Sequence, residues 1–154
     1  MTHSMKAIAR VMALVALLSL VAIAPASAVS SSTYETQIFD ATNAYRVELG
    51  KVPVKHQKCL DRFAKSQAKW MAKNNVLQHR NGRLLKIIKS CKVSSASENI
   101  AYKFSSGTKT VAAWRNSSSH SKNMRATKMR YVGVSAVQAK NGVWYVAQVF
   151  GSRK

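Results

Sequence analysis

Two alternating runs, Tyr131-Val132-Gly133-Val134-Ser135-Ala136-Val137-Gln138-Ala139 and Val143-Trp144-Tyr145-Val146-Ala147-Gln148-Val149-Phe150, flank Asn141-Gly142. Asn-Gly between two such runs predicts a β-hairpin with a tight turn. Period-two alternation puts Trp144 and Tyr145 on opposite faces of the sheet. Upstream the period changes. Tyr34 to Leu49 carries Ile38, Ala41, Tyr45 and Leu49 on one helical face, with Thr33 as its expected cap and Gly50 as its stop. Lys51 to Gln57 reads as a loop containing Pro53. Lys58 to Asn74 repeats Leu60, Phe63, Ala64, Gln67, Ala68 and Met71 at three- and four-residue spacing. Its other face carries Lys58, Arg62, Lys65, Lys69 and Lys73, the pattern of a helix packed on a core with its lysines in water. Arg83 to Lys89 predicts a short helix and Glu98 to Ala101 a short extended piece. Thr108 is the expected cap of a helix over Lys109 to Asn116, with Val111 and Trp114 inward, and His120 to Met124 reads as one more turn. Helices followed by a hairpin indicate the α+β class.

The first 28 residues read differently. Lys6 and Arg10 precede an apolar run from Val11 to Ala24, and Ala26-Ser27-Ala28 forms an A-x-A site. This is the pattern of a secretory signal peptide over 1–28, cut after Ala28. Residues 29–33, rich in serine, are expected to be disordered, and 34–152 to form a single domain. No second apolar run follows, so no transmembrane span is expected in the mature chain. Removing Lys6 and Arg10 from the 25 basic residues leaves 23 against five acidic ones, a net charge of +18. Such a charge draws a secreted domain to anionic cell-envelope polymers or lipids. No DNA- or RNA-reading motif is present, so sequence-specific nucleic-acid recognition is not expected.

Cys59 and Cys91 are the two cysteines. An even count in an exported chain favours a disulfide between them. It would close a loop of about 32 residues, for a stabilisation of ~3–4 kcal/mol in the chain-entropy model. The rival reading is two buried free thiols, since spacing alone does not bring the two Cα atoms together.

The residues able to carry chemistry run in order through the second half: His79, then Ser97-Glu98-Asn99-Ile100-Ala101, then Trp114-Arg115-Asn116-Ser117-Ser118-Ser119-His120-Ser121-Lys122-Asn123, ahead of Val149-Phe150-Gly151. Of four His and three Glu in the chain, two and one fall in this series. A lone glutamate among apolar residues requires a partner to satisfy it. Earlier come Asn43-Ala44-Tyr45-Arg46, Gly50 and Pro53-Val54, then Ala64, Ala68, Met71-Ala72 and Leu77-Gln78-His79. In this order, from about Tyr34 to Gly151, the chain resembles the CAP superfamily of cysteine-rich secretory, antigen 5 and plant pathogenesis-related proteins, in its short secreted bacterial form. Each motif is weak alone; the order of five carries the likeness. The resemblance implies a three-layer α-β-α sandwich with a central antiparallel sheet.

It also implies that His79 and His120 face each other across a cleft, with Glu98 beside them and Asn99, Ser117 and Asn123 on its walls. An imidazole pair can hold Zn²⁺ or another divalent cation, and a nearby carboxylate can fix a tautomer or activate water. On that reading Glu98, His79 and His120 are the catalytic candidates. Many eukaryotic members carry a second glutamate where this chain has Ser117, so any metal here would sit in an open site completed by water. The plainer reading is a hydrogen-bonded cluster in which Glu98 accepts from backbone N–H groups and one histidine. Ser117, Ser118 and Ser119 beside His120 invite a nucleophile reading, but there is no G-x-S-x-G elbow, and capping the turn at His120 is a simpler role for Ser118 or Ser119. Asn99 and Asn123 read as satisfying backbone groups. Trp114, Trp144, Tyr131, Tyr145 and Phe150 read as core. His56 reads as a solvated bystander, and Asn116-Ser117-Ser118 formally matches a glycosylation sequon.

Some relatives bind sterols or fatty acids and others divalent metals. The resemblance therefore points to a secreted binding module for a small apolar ligand or a divalent cation, held on an anionic envelope by its basic surface. The alternative is a metal-assisted or Glu/His-dependent hydrolase of cell-wall or peptide substrates. A third reading is a purely electrostatic factor with a vestigial cleft.

Overall fold

Serine caps set where two of the five described helices begin in the computed structural model, which describes residues 29–154; the stretch read as a signal peptide lies outside them. Helix α1, Ser31–Glu48, starts one turn earlier than its apolar periodicity suggests, because Ser30 Oγ accepts from the Thr33 amide at 3.1 Å. The expected disorder over 29–33 is therefore not found: Ser31 to Thr33 are helical and Val29 packs against the core. Gly50 at φ +64° lets the chain leave, with Lys51 N–H donating back to the Arg46 carbonyl at 2.8 Å. Helix α4, Gly107–Arg115, is capped by Ser106 rather than Thr108. Between them come α2, Lys58–Asn74, and α3, Arg83–Cys91; α5, Ser118–Arg125, is two turns long rather than one. Ser118 and Ser119 lie inside α5, so neither caps it, and Ser117 takes the cap position without a side-chain bond.

The hairpin forms as its sequence predicts: β3, Met129–Gln138, pairs antiparallel with β4, Trp144–Ser152, from Gln138↔Trp144 to Met129↔Ser152. Strand β2, Ala96–Tyr102, pairs antiparallel on the other side of β4, in the register Glu98↔Val149. A two-residue β1, Lys55–His56, lies in the segment read as a loop and pairs parallel with β3 at Tyr131 and Val132. The order is β1-β3-β4-β2, so β4 is central, and all nine of its residues are buried.

Alternation along β4 divides the core. Trp144, Val146 and Phe150 pack with Tyr34, Ile38, Val111, Trp114 and Met124 of α1, α4 and α5. Tyr145, Ala147 and Val149 pack with Leu60, Ala64, Ala68, Met71 and Ile87 of α2 and α3. This is a three-layer α-β-α sandwich of the α+β class. Among the described residues no helix is long and apolar enough to cross a membrane. Cys59 and Cys91 are joined, with Cα atoms 5.5 Å apart, so the first turn of α2 is tied to the last residue of α3 and the free-thiol alternative falls.

Helix α2 lies unusually close to the sheet because β3 presents Gly133 to it. A Cβ there would overlap the backbone of Leu60 and Asp61. Backbone cannot swing aside as a side-chain tip can. Gly133→Ala should therefore cost about 3 kcal/mol, the upper end of overpacking effects, read as a lower urea midpoint with an unchanged slope.

Side chains close both sheet edges. On the β3 edge beyond β1, Asp61 accepts from the Val134 amide at 3.2 Å and Glu35 from the Ala136 amide at 2.9 Å. On the β2 edge, Trp114 Nε1–H donates to the Ile100 carbonyl at 3.2 Å and Asn123 Nδ2–H to the Glu98 carbonyl at 3.3 Å. Edge groups satisfied in this way do not template pairing with another chain. His56 is exposed, as read, with its ring stacked on Phe39 at 4.1 Å and its Nδ1 3.3 Å from Asp61.

Candidate functional site

Glu98 is the one acidic side chain of β2, and alternation turns it toward the α2/α3 layer, the side on which Ile100 packs. Its side chain is only 4% exposed. His79, in the turn after α2, donates from Nδ1 to Glu98 Oε1 at 2.8 Å. Arg83, the first residue of α3 and itself buried, donates from Nε to Oε2 at 2.9 Å. The second hydrogen-bonding edge of Arg83 reaches the Phe63 carbonyl of α2, and its guanidinium lies over the Phe63 ring at 5.5 Å. Both carboxylate oxygens are thus engaged by two donors from different elements. Glu98 accepts from one histidine, as the plainer reading expects, and from an arginine in place of the expected backbone N–H groups.

Burial by itself would raise the Glu98 carboxyl, but the hydrogen bonds and charges of His79 and Arg83 outweigh it and hold its pKa below the ordinary 4.5. A carboxylate with a depressed folded pKa stabilises the fold above the unfolded pKa and loses that contribution as pH falls through the folded value. The stability advantage of wild type over Glu98→Gln should therefore be full above pH 4.5, shrink as pH falls below it, and vanish in stronger acid. Chemical denaturation of both proteins across that range reads it directly; an advantage independent of pH would show that Glu98 is not ionised in the fold.

The cluster opens into a cavity of about 490 Å³ beside the β2 edge, between α3 and α5. His79, Glu98 and Asn123 line it, together with Ser97, Arg80, Gly82, Arg83, Leu84 and Leu85. The other expected wall residues lie elsewhere. Asn99 follows Glu98 on the strand and so points through the opposite face, fully buried, where it donates to the His120 carbonyl at 3.2 Å and to Gln148 at 3.1 Å, and accepts from Asn123 at 2.8 Å. Ser117 is not part of the cavity lining, and its hydroxyl meets Ser119 at 3.2 Å. His120 tilts against Trp114, ring centroids 6.1 Å apart. Burial, and then the charge of His79, lower the His120 pKa, so its ring is neutral at neutral pH.

Arg83 is the member of the site that sequence reasoning missed. It reads as one more cation on a short amphipathic helix. The usable signal is its place next to the Gly82 turn, four residues beyond His79, in a chain where a buried glutamate must find a cation.

The family model of the cysteine-rich secretory protein family, CAP, matches residues 39–150. This chain belongs to the CAP family. It is 30% identical over 120 residues to YkwD, an uncharacterised protein of Bacillus subtilis, covering 75% of this chain and 46% of that relative, so the chain spans under half of the curated relative it matches. Among solved structures it is similar to an outer surface protein of Borrelia burgdorferi, with TM-score 0.73, 19% identity, and 82% and 97% of the two chains covered. It is also similar to an extracellular protein with an SCP domain from Bacillus anthracis, with TM-score 0.68, 26% identity, and 80% and 41% covered.

CAP membership raises the question of a divalent metal, and the donor set of this CAP domain does not fit one firmly held. Among the described residues no three His, Cys, Asp or Glu side chains gather as a metal site. Each oxygen of Glu98 already accepts one hydrogen bond, which weakens it as a ligand and leaves the imidazoles of His79 and His120 as the main candidates. The guanidinium of Arg83 lies against the same carboxylate, and Arg80 lines the same cavity. A dication placed there would meet like charge.

Proposed function

We propose that this CAP protein is a secreted binding domain of the cell envelope, with the cavity at the β2 edge as its ligand site. The observation that carries the reading is the locked state of Glu98. A general base needs a free oxygen and a pKa near the working pH. Each oxygen of Glu98 already accepts one hydrogen bond, from His79 or Arg83, and these partners lower its pKa, so it is a weak base. Ser117, Ser118 and Ser119 supply no hydroxyl hydrogen-bonded to the His120 ring among the described residues, so a serine nucleophile has no base. What remains is a polar floor with an apolar wall: Leu84 is 40% and Leu85 67% exposed on the cavity rim. Such a site suits a small ligand with an apolar part.

Retention belongs to the surface. Lys58, Arg62, Lys65, Lys69 and Lys73 stand exposed along α2, and none of them forms an ion pair among the described residues. Residues 29–154 carry a net charge of +18, and with an unneutralised helical stripe they are attracted to anionic wall polymers or lipids. The extracellular and outer-surface relatives support an envelope location.

A sedimentation assay tests the retention and sets binding against hydrolysis. Purified residues 29–154 should pellet with anionic cell-wall material at low salt and be released as salt rises. Reversing Lys58, Lys65, Lys69 and Lys73 to glutamate should abolish pelleting, and Glu98→Gln should leave it intact. Release of soluble wall fragments by the wild type, but not by Glu98→Gln, would replace this reading with hydrolysis.

A further inference from the structure

Resting on the reading of this cavity as a ligand site, we propose that its floor is an oxyanion site and that the ligand's polar group is a phosphate. Four observations meet there. First, α3 is nine residues long and begins at the cavity with no side-chain cap: Gly82, at φ +70°, occupies the cap position. Gly82, Arg83, Leu84 and Leu85 all line the cavity, so the unsatisfied first-turn amides of α3 lie at its wall. Second, Arg83 is nine-tenths buried, and its bonds to Glu98 and Phe63 use Nε and Nη2, leaving Nη1 without a protein acceptor among the described residues. Third, Arg80 is fixed in the same wall. Its Nε–H donates to Gln67 at 2.9 Å, its Nη2–H to Ser66 at 3.0 Å, and its guanidinium lies 5.4 Å from the centroid of Trp70. Its Nη1 also has no protein acceptor among the described residues. Fourth, Ser97 lines the cavity from the α5 side of β2, and its buried hydroxyl has no hydrogen-bond partner among the described residues.

A buried hydroxyl without a partner is costly unless a ligand or water completes it. The charge count favours an anion. Among the described residues Glu98 is the only acidic group in the lining, and it is already matched by Arg83, so Arg80 is surplus. A tetrahedral phosphate has enough acceptor oxygens to serve two guanidinium edges, helix amides and a hydroxyl that come from separate elements. The exposed Leu84 and Leu85 then meet whatever the phosphate is attached to.

The test is an amide NMR titration of residues 29–154 with inorganic phosphate, phenyl phosphate, benzoate and ZnCl₂. Phosphate should shift the Arg83, Leu84 and Leu85 amides, and phenyl phosphate should do so at lower concentration. Arg80→Gln, a change at a partly exposed side chain, should weaken phenyl phosphate about tenfold, the worth of one charge-assisted hydrogen bond. Ser97→Ala should weaken it less. Phosphate shifts spread over the α2 lysines, with Arg80→Gln behaving as wild type, would overturn the site. Cavity shifts from benzoate or zinc without any from the phosphates would overturn the phosphate assignment and leave the ligand cavity standing. No cavity shift from any probe would overturn both.

Discussion

Arg46→Ala should destabilise this domain by roughly 4 kcal/mol, the scale of orphaning several buried polar groups at once. Arg46 is fully buried and has no carboxylate partner among the described residues. Its guanidinium is spent on carbonyls: Nε on Val52 at 2.8 Å, Nη1 on Met124 at 2.6 Å and Ala126 at 3.1 Å, and Nη2 on Met129 at 3.1 Å. Met124 lies in the last turn of α5, so a cation sits at the negative end of that helix. One side chain thereby joins α1, the loop after it, α5 and the start of β3. Burial, and then Arg130, lower its pKa, the mark of a charge held in place against desolvation. Alanine removes the donors, leaves the carbonyls unpaired and opens a cavity. Arg46→Met retains most of the volume and should recover only the packing part. Urea unfolding monitored by tryptophan fluorescence distinguishes them. Two variants within 1 kcal/mol of wild type would mean that water replaces the guanidinium without cost.

Removing the Cys59–Cys91 bridge should cost ~3–4 kcal/mol through the entropy of a loop of this length. The effect reaches the site, because the bridge fastens the C-terminus of α3 while Arg83 at its other end holds Glu98. In the double variant Cys59→Ser/Cys91→Ser, amides of α3 should exchange faster than those of β4, and the midpoint should fall. If the midpoint does not move, the bridge constrains nothing that packing does not already hold. Against a total stability of about 5–15 kcal/mol typical of such domains, either change leaves little reserve.

The hairpin and α2 were legible because each rests on interactions between neighbours in sequence. Asn141-Gly142 turns without strain, with Gly142 at φ +80°, and the apolar faces of Leu60 to Met71 and of β4 follow from backbone geometry. The starts of α1, α4 and α5 lie two or three residues before the positions read from sequence, because several serines and threonines compete for each cap. Only the hydroxyls of Ser30 and Ser106 reach an amide three residues on. The short β1 has no periodicity to read; its pairing with β3 exists because α1 and α2 place Lys55 and His56 there.

The candidate site divides in the same way. That Glu98 needed a partner, that one histidine would supply a bond, and that Asn123 would meet backbone followed from scarcity, order and hydrogen-bond chemistry. That Asn99 belongs to the opposite face also follows from β alternation, once the strand is seen to pass through both residues rather than end at a cleft. Sequence by itself thus determined the class, the layers, the charge and the glutamate's need. Which cation answers it, which hydroxyl stays unpaired and where Arg46 places its donors were decided by the tertiary structure. Apart from the Arg46–Val52 bond, those contacts span 15 to 83 residues of chain. They depend on how closely helices settle on the sheet, and no local pattern encodes that distance.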